Sequence, residues 1–131
     1  MTALLDTLPY ARFLGLRGEM EGDLLTVVMP FADRLIGDPM LPALHGGSTA
    51  ALLEMTAIAQ VALVYPRLRL PRPINVTVSY LRSGRPQDVR ARARISRAGR
   101  RVAHVLAEAW QDDAAQPIAS LTANFLLSED N

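Results

Sequence analysis

Apolar and polar positions along the chain fall into two regimes: one long, nearly unbroken apolar block, then a series of short segments that favour strands. The block runs from Gly46 to Pro66, GGSTAALLEMTAIAQVALVYP. It predicts one helix from Gly46 or Gly47 to about Tyr65. Ser48 or Thr49 is expected to cap its first turn and Pro66 to stop it. A helix that is apolar nearly all round is expected to be buried on most sides. Alternation is clearest from Val89 to Ile95. There Val89, Ala91, Ala93 and Ile95 fall on one face, while Arg90, Arg92 and Arg94 fall on the other, a solvated outer face.

Three more strands follow the helix: Ile74 to Leu81, Val102 to Trp110 and Pro117 to Leu127. Ala98-Gly99 and Asp112 to Gln116 read as turns, so neighbouring strands pair antiparallel. Before the helix, Asp23 to Pro30 (DLLTVVMP) is β-branched and bounded by Gly22 and Pro30, which predicts a strand. Residues 2–8 suggest a short helix ended by Pro9, and Tyr10 to Leu16 an irregular arm. Residues 31–44, with Gly37, Pro39 and Pro42, suggest a loop leading to the long helix. The sum is an α+β domain over residues 1–131, with about five antiparallel strands curled around one central helix. Its own sheet covers one side of that helix, and a second subunit is the simplest cover for the other.

Composition narrows the chemistry. The chain has 131 residues and no cysteine, which removes disulfides, zinc-thiolate sites and a cysteine nucleophile. Two histidines and no dense carboxylate cluster leave no evident protein-built metal site. Net charge is +1, and the 5% of aromatic residues are not interleaved with the basic ones, so nucleic-acid binding is not expected. The N-terminus lacks a basic region followed by an apolar one, so no signal peptide is read. Ala50 to Val64 is shorter than the roughly 20 residues a bilayer span needs. A cytoplasmic protein is the default expectation.

One side chain breaks the apolar block. Glu54 is the only charged residue between Gly46 and Pro66, and a lone carboxylate in an apolar helix is costly unless something satisfies or uses it. Thr49, Gln60 or a partner chain could satisfy it. The helix opens with His45-Gly46-Gly47, where free backbone N–H groups and a positive dipole end are available, and glycine allows close approach to the backbone. Gly46-Gly47-Ser48 is not a serine-hydrolase elbow, which sets the serine between glycines after a strand. All fourteen basic residues are arginine, and eight lie between Arg82 and Arg101. Arg97, Arg100 and Arg101 flank the Ala98-Gly99 turn and suit phosphate groups.

Leu44-His45-Gly46-Gly47 with Glu54 nine residues after His45, then Tyr80-Leu81-Arg82-Ser83 and Gly99-Arg100-Arg101-Val102-Ala103, resemble the hotdog-fold acyl-CoA thioesterases, closest to the phenylacetate-pathway group. The resemblance covers roughly residues 24–127. It implies that Glu54 attacks the thioester or activates water, and that the Gly46 N–H polarises the thioester carbonyl. His45, Gly47 and Asp38 would support them, the His45 ring by fixing the loop before the helix and holding the glycine amides in place; Arg82, Ser83, Arg97, Arg100 and Arg101 would contact substrate or coenzyme A. No cofactor is implied beyond the coenzyme A carried by the substrate. The sequence departs from the family where Asn or Gln often stands six residues before the histidine; here that residue is Pro39, beside Asp38. It also places Arg82 where some members have a serine.

Eight residues of helix between Gly46 and Glu54 span about 12 Å. If both act on one thioester, they must come from different subunits, which predicts a homodimer, alone or paired into a tetramer. Two rival functions fit the same residues. One is a hotdog dehydratase or hydratase, which pairs a catalytic histidine with a helix carboxylate. The other is an acyl-CoA-binding protein without turnover.

Overall fold

Pro9 opens a helix where the sequence suggested that it closes one. The computed structural model describes residues 5–38, 40 and 43–128. Helix α1 spans Pro9–Leu14, with proline at its start and Gly15 at φ 71 as the left-handed C-cap. A proline at the first helical position gives up an N–H that has no partner there anyway. The expected arm at 10–16 is therefore mostly helix. Of the helix expected at 2–8, Leu5 and Asp6 are helical and residues 2–4 lie outside the described residues. Leu5, Ala11 and Leu14 are buried in the core.

Strand β1 (Arg17–Glu21) turns at Gly22 (φ 63) into β2 (Leu24–Met29), and the two pair antiparallel. Among the described residues of the 31–44 segment there is more regular structure than a loop. A 3₁₀ turn (Asp33–Leu35) leads into β3 (Ile36–Asp38), which pairs with β4 (Ala43–Leu44) in a small second sheet. Helix α2 (Gly46–Val64) follows, then β5 (Arg72–Tyr80), β6 (Val89–Ala98), β7 (Val102–Trp110) and β8 (Ala119–Leu126). The main sheet has six antiparallel strands in the order β1-β2-β6-β7-β8-β5. It packs against α2 in the hotdog arrangement.

The inner face of this sheet is lined with small residues. Ala91, Ala103, Ala107, Ala109 and Ala123 are all buried there, which lets α2 lie close. Leu52 and Leu53 of α2 are fully buried, each contributing about 1.5–3 kcal/mol. Thr56 satisfies its buried hydroxyl by donating to the Leu52 carbonyl at 2.7 Å. On the outer face the arginines of β6 stand as the alternation predicted. Arg90 pairs with Glu19 at 2.8 Å, and Arg92 donates to the Thr26 hydroxyl and lies over the Trp110 ring.

Helix α2 is not covered on all sides. Gly47, Ala50, Ala51, Glu54, Met55 and Ala62 form a strip that is exposed or only half-buried. By length and composition α2 could cross a membrane, since starting at Gly46 makes it longer than the Ala50–Val64 run. It is instead the core helix of the sheet. Strand β5 is uncovered too. Val76, Val78 and Tyr80 stand opposite Ala123, Leu121 and Ala119, facing inward. Yet Val76 and Tyr80 are exposed and Val78 is half-buried. Among the described residues the outer edge of β5 has no neighbouring strand.

Candidate functional site

The start of α2 is capped by a different residue from the two expected to cap it. The N-cap is His45, whose ring Nδ1 accepts a hydrogen bond from the Gly47 N–H at 2.9 Å. Neither Ser48 nor Thr49 caps. The Ser48 hydroxyl instead donates to the His45 carbonyl at 2.7 Å, which also accepts from the Ser48 and Thr49 N–H groups at 3.1 and 3.4 Å. A ring nitrogen that accepts carries no hydrogen, so the neutral imidazole bears its proton on Nε2. His45 is fixed in turn by its own N–H, which donates to the Leu35 carbonyl at 2.6 Å.

This leaves one donor. The N–H groups of Gly47, Ser48 and Thr49 all have acceptors, and among the described residues Gly46 N–H has none. Both glycines have close side-chain neighbours. A Cβ on Gly47 would lie 2.9 Å from the His45 ring, and one on Gly46 would lie 3.2 Å from the Tyr80 ring.

Gly46 opens on a cavity of about 370 Å³ lined also by Leu44, Thr49, Tyr80, Arg82, Ser83 and Ile118. A second cleft of about 240 Å³ shares Arg82, Ser83 and Ile118 and extends past Arg85, Gln111 and Asp112. Arg82 donates to the Pro117 carbonyl at 2.6 Å, and Arg85 is paired with Asp112. Gln111 bonds the Arg85 backbone on both sides, accepting from its N–H at 3.1 Å and donating to its carbonyl at 2.8 Å. Of the expected substrate contacts, Arg82 and Ser83 therefore stand beside Gly46.

Arg97, Arg100 and Arg101 do not. They lie at the far end of β6 and β7, whereas Ala109 and Tyr80 both pair with Ala119 at the Gly46 end. The length of β7 separates the two ends, about 26 Å at 3.3 Å per residue. Asp38 ends β3; the side-chain role expected for it falls outside the described residues, as does Pro39.

Glu54 lies on the half-buried strip of α2, two turns beyond Gly46. Among the described residues no hydrogen bond or ion pair holds its carboxylate. Gln60 is engaged elsewhere: its amide oxygen accepts from the Leu25 N–H at 3.4 Å. Tyr80 was singled out only through the family resemblance, without a role. Its hydroxyl donates to the Gly46 carbonyl at 2.9 Å, a contact across 34 positions that no local pattern signals. Among the described residues no group of three His, Asp or Glu side chains could hold a metal ion. A larger groove of about 440 Å³ lies over Arg92, Leu106, Glu108 and Trp110 on the outer face; none of the expected site residues lines it.

A family model for the acyl-CoA thioesterase N-terminal domain matches residues 37–126. No curated protein matches the chain. Among solved structures, a thioesterase-superfamily protein is 25% identical, with a TM-score of 0.86 over 95% of this chain and 93% of its own. A protein from Chromobacterium violaceum is 36% identical, with a TM-score of 0.78 over 95% and 87%. A phenylacetic acid degradation-related protein from Ralstonia eutropha JMP134 is 26% identical, with a TM-score of 0.75 over 94% and 96%. With the family model covering more than half of its length, and with six strands wrapped on one central helix, the chain belongs to the acyl-CoA thioesterases of the hotdog fold.

Proposed function

We propose that this protein hydrolyses a small acyl- or aryl-CoA in a cleft shared by two subunits, using the Gly46 N–H of one and Glu54 of the partner subunit. The observation that carries this reading is the single unpaired N–H in the first turn of α2, opening on a cavity. A thioester carbonyl placed there receives a hydrogen bond that strengthens as its oxygen takes up charge. Within one chain the only acid of α2 is about 12 Å away along the helix. The uncovered strip bearing Glu54 and the bare inner face of β5 supply the surface for a second copy.

The chemistry follows from these two groups. Glu54 of the partner subunit takes a proton from water as the oxygen attacks the carbonyl carbon, or its carboxylate attacks directly and water then cleaves the acyl-enzyme. In either route the tetrahedral oxyanion is held by Gly46 N–H. Collapse expels the coenzyme A thiolate, which ends with the proton that water gives up; water attack leaves the carboxylic acid directly, and carboxylate attack leaves a mixed anhydride on Glu54 that water then cleaves to the acid and free Glu54. The coenzyme A arm runs out along Arg82, Ser83 and the cleft beyond Arg85, which are contiguous with the cavity.

The test is steady-state thiol release from a panel of acyl- and aryl-CoA thioesters, comparing wild type with Glu54→Gln. Glu54→Gln keeps the side-chain shape and is expected to lower kcat by at least about 10²-fold. Equal turnover by both proteins on every substrate sinks the assignment of Glu54. Tight binding by wild type with no thiol release would make the protein an acyl-CoA binder instead.

A further inference from the structure

Two consecutive peptide planes meet at Gly46, and three of their four polar groups are held. In the His45–Gly46 plane, the carbonyl accepts from the Ser48 hydroxyl and from the Ser48 and Thr49 N–H groups. In the Gly46–Gly47 plane, the carbonyl accepts from the Tyr80 hydroxyl and the N–H donates to the His45 ring. The fourth group, Gly46 N–H, is the free one. Helices fray in their first turn, and a plane between two glycines has unusually soft torsions on both sides. A donor borne there is well aimed only if its neighbours are fixed.

We infer that Tyr80 is a positioning residue for hydrolysis, its hydroxyl locking the Gly46–Gly47 peptide so that the preceding N–H points into the cavity. This rests on the reading of Gly46 N–H as the oxyanion donor. Of the groups that hold the two planes, Tyr80 alone comes from outside the segment starting at His45. It reaches from the last position of β5, and its ring packs on Gly46 so closely that a Cβ there would sit 3.2 Å away. A side chain at Gly46 would thus have to push the Tyr80 ring, and Tyr80 transmits the position of the β5 edge to the reacting group.

Tyr80→Phe keeps the ring and removes only the hydroxyl. Deleting an oxyanion donor outright costs about 10²–10³-fold in kcat; loosening one is expected to cost about tenfold, with KM within about twofold of wild type. Hydrogen exchange at the Gly47 amide, followed by NMR on the unliganded protein, is expected to quicken in Tyr80→Phe, a change a purely structural ring contact would not produce. Gly46→Pro, with its loss read beyond that of Gly46→Ala, separates the two ideas: both put a Cβ against the Tyr80 ring, and only proline deletes the N–H, at a helix position that tolerates it, after a His45 already at ψ 128. A kcat in Gly46→Pro no lower than in Gly46→Ala overturns the donor itself. A further loss in Gly46→Pro without a loss in Tyr80→Phe overturns the positioning role alone. Unchanged Gly47 exchange in Tyr80→Phe also overturns it, whatever the activity.

Discussion

A hydrogen atom in place of a methyl group at position 47 is what allows His45 to cap α2. A Cβ there would stand 2.9 Å from both Cε1 and Nδ1 of the ring, so Gly47→Ala must displace the imidazole. Two effects on stability then oppose each other. Losing a cap costs about 0.5–2 kcal/mol, and alanine gains up to about 1 kcal/mol over glycine in a helix. The net change in denaturant unfolding is expected to stay within about 1 kcal/mol. Activity has no such offset, because the plane that aims the Gly46 donor is disturbed; kcat is expected to fall about tenfold or more. A Gly47→Ala protein with wild-type kcat would mean that the His45 cap does not serve the site. At this scale the sequence exposed the acid and the glycine pair, since both break the pattern around them. It did not expose the role of Tyr80, and it assigned the cap to Ser48 or Thr49, although the His45 ring was expected beside the glycine amides it does hold. Histidine is not among the favoured N-caps, and a hydroxyl 34 residues away becomes relevant only when β5 returns beside the helix start.

Elements were legible wherever burial and periodicity agree. Val102–Trp110 appears as a strand with the boundaries read from the sequence, and Val89–Ala98 extends the alternating run by three residues. Strand β1 went unread because RGEME is polar, contains Gly18 and buries nothing. Its pairing with β2 through the Gly22 turn makes it a strand, not its own residues. The helix at Pro9–Leu14 was missed because proline was taken as a stop, although the same residue serves as a start. The alanines of the inner sheet face carry a further consequence. Ala107 on β7 is 2% exposed beneath α2, so Ala107→Leu inserts bulk where the helix lies close. It is expected to destabilise by about 1–3 kcal/mol. Arg94, on the same sheet's outer face and exposed, is expected to change stability by less than about 0.5 kcal/mol on mutation to alanine. Urea midpoints of the two variants check the contrast, and equal midpoints would mean that the helix–sheet contact is loosely packed.

At the scale of the molecule, a single chain leaves its candidate chemistry divided. Gly46 N–H and Glu54 sit two turns apart on one helix, and among the described residues the apolar surfaces of β5 and of the Glu54 strip are only partly covered. The sequence made this division visible through helix geometry alone, but it could not show which edge of the sheet was bare; that depends on β5 pairing with β8 at the end of the order. The shared-site arrangement can be tested by complementation. Glu54→Ala and Gly46→Pro subunits, each inactive as homodimers, are unfolded together and refolded as an equal mixture. In a mixed dimer one site has lost both groups, while the other joins an intact Gly46 from the first chain to an intact Glu54 from the second. Random pairing makes about half of the dimers mixed, each with one working site of two, so activity is expected to return to about one quarter of wild type. If each site instead drew both groups from its own chain, every site in the mixture would carry one defect and no activity would return.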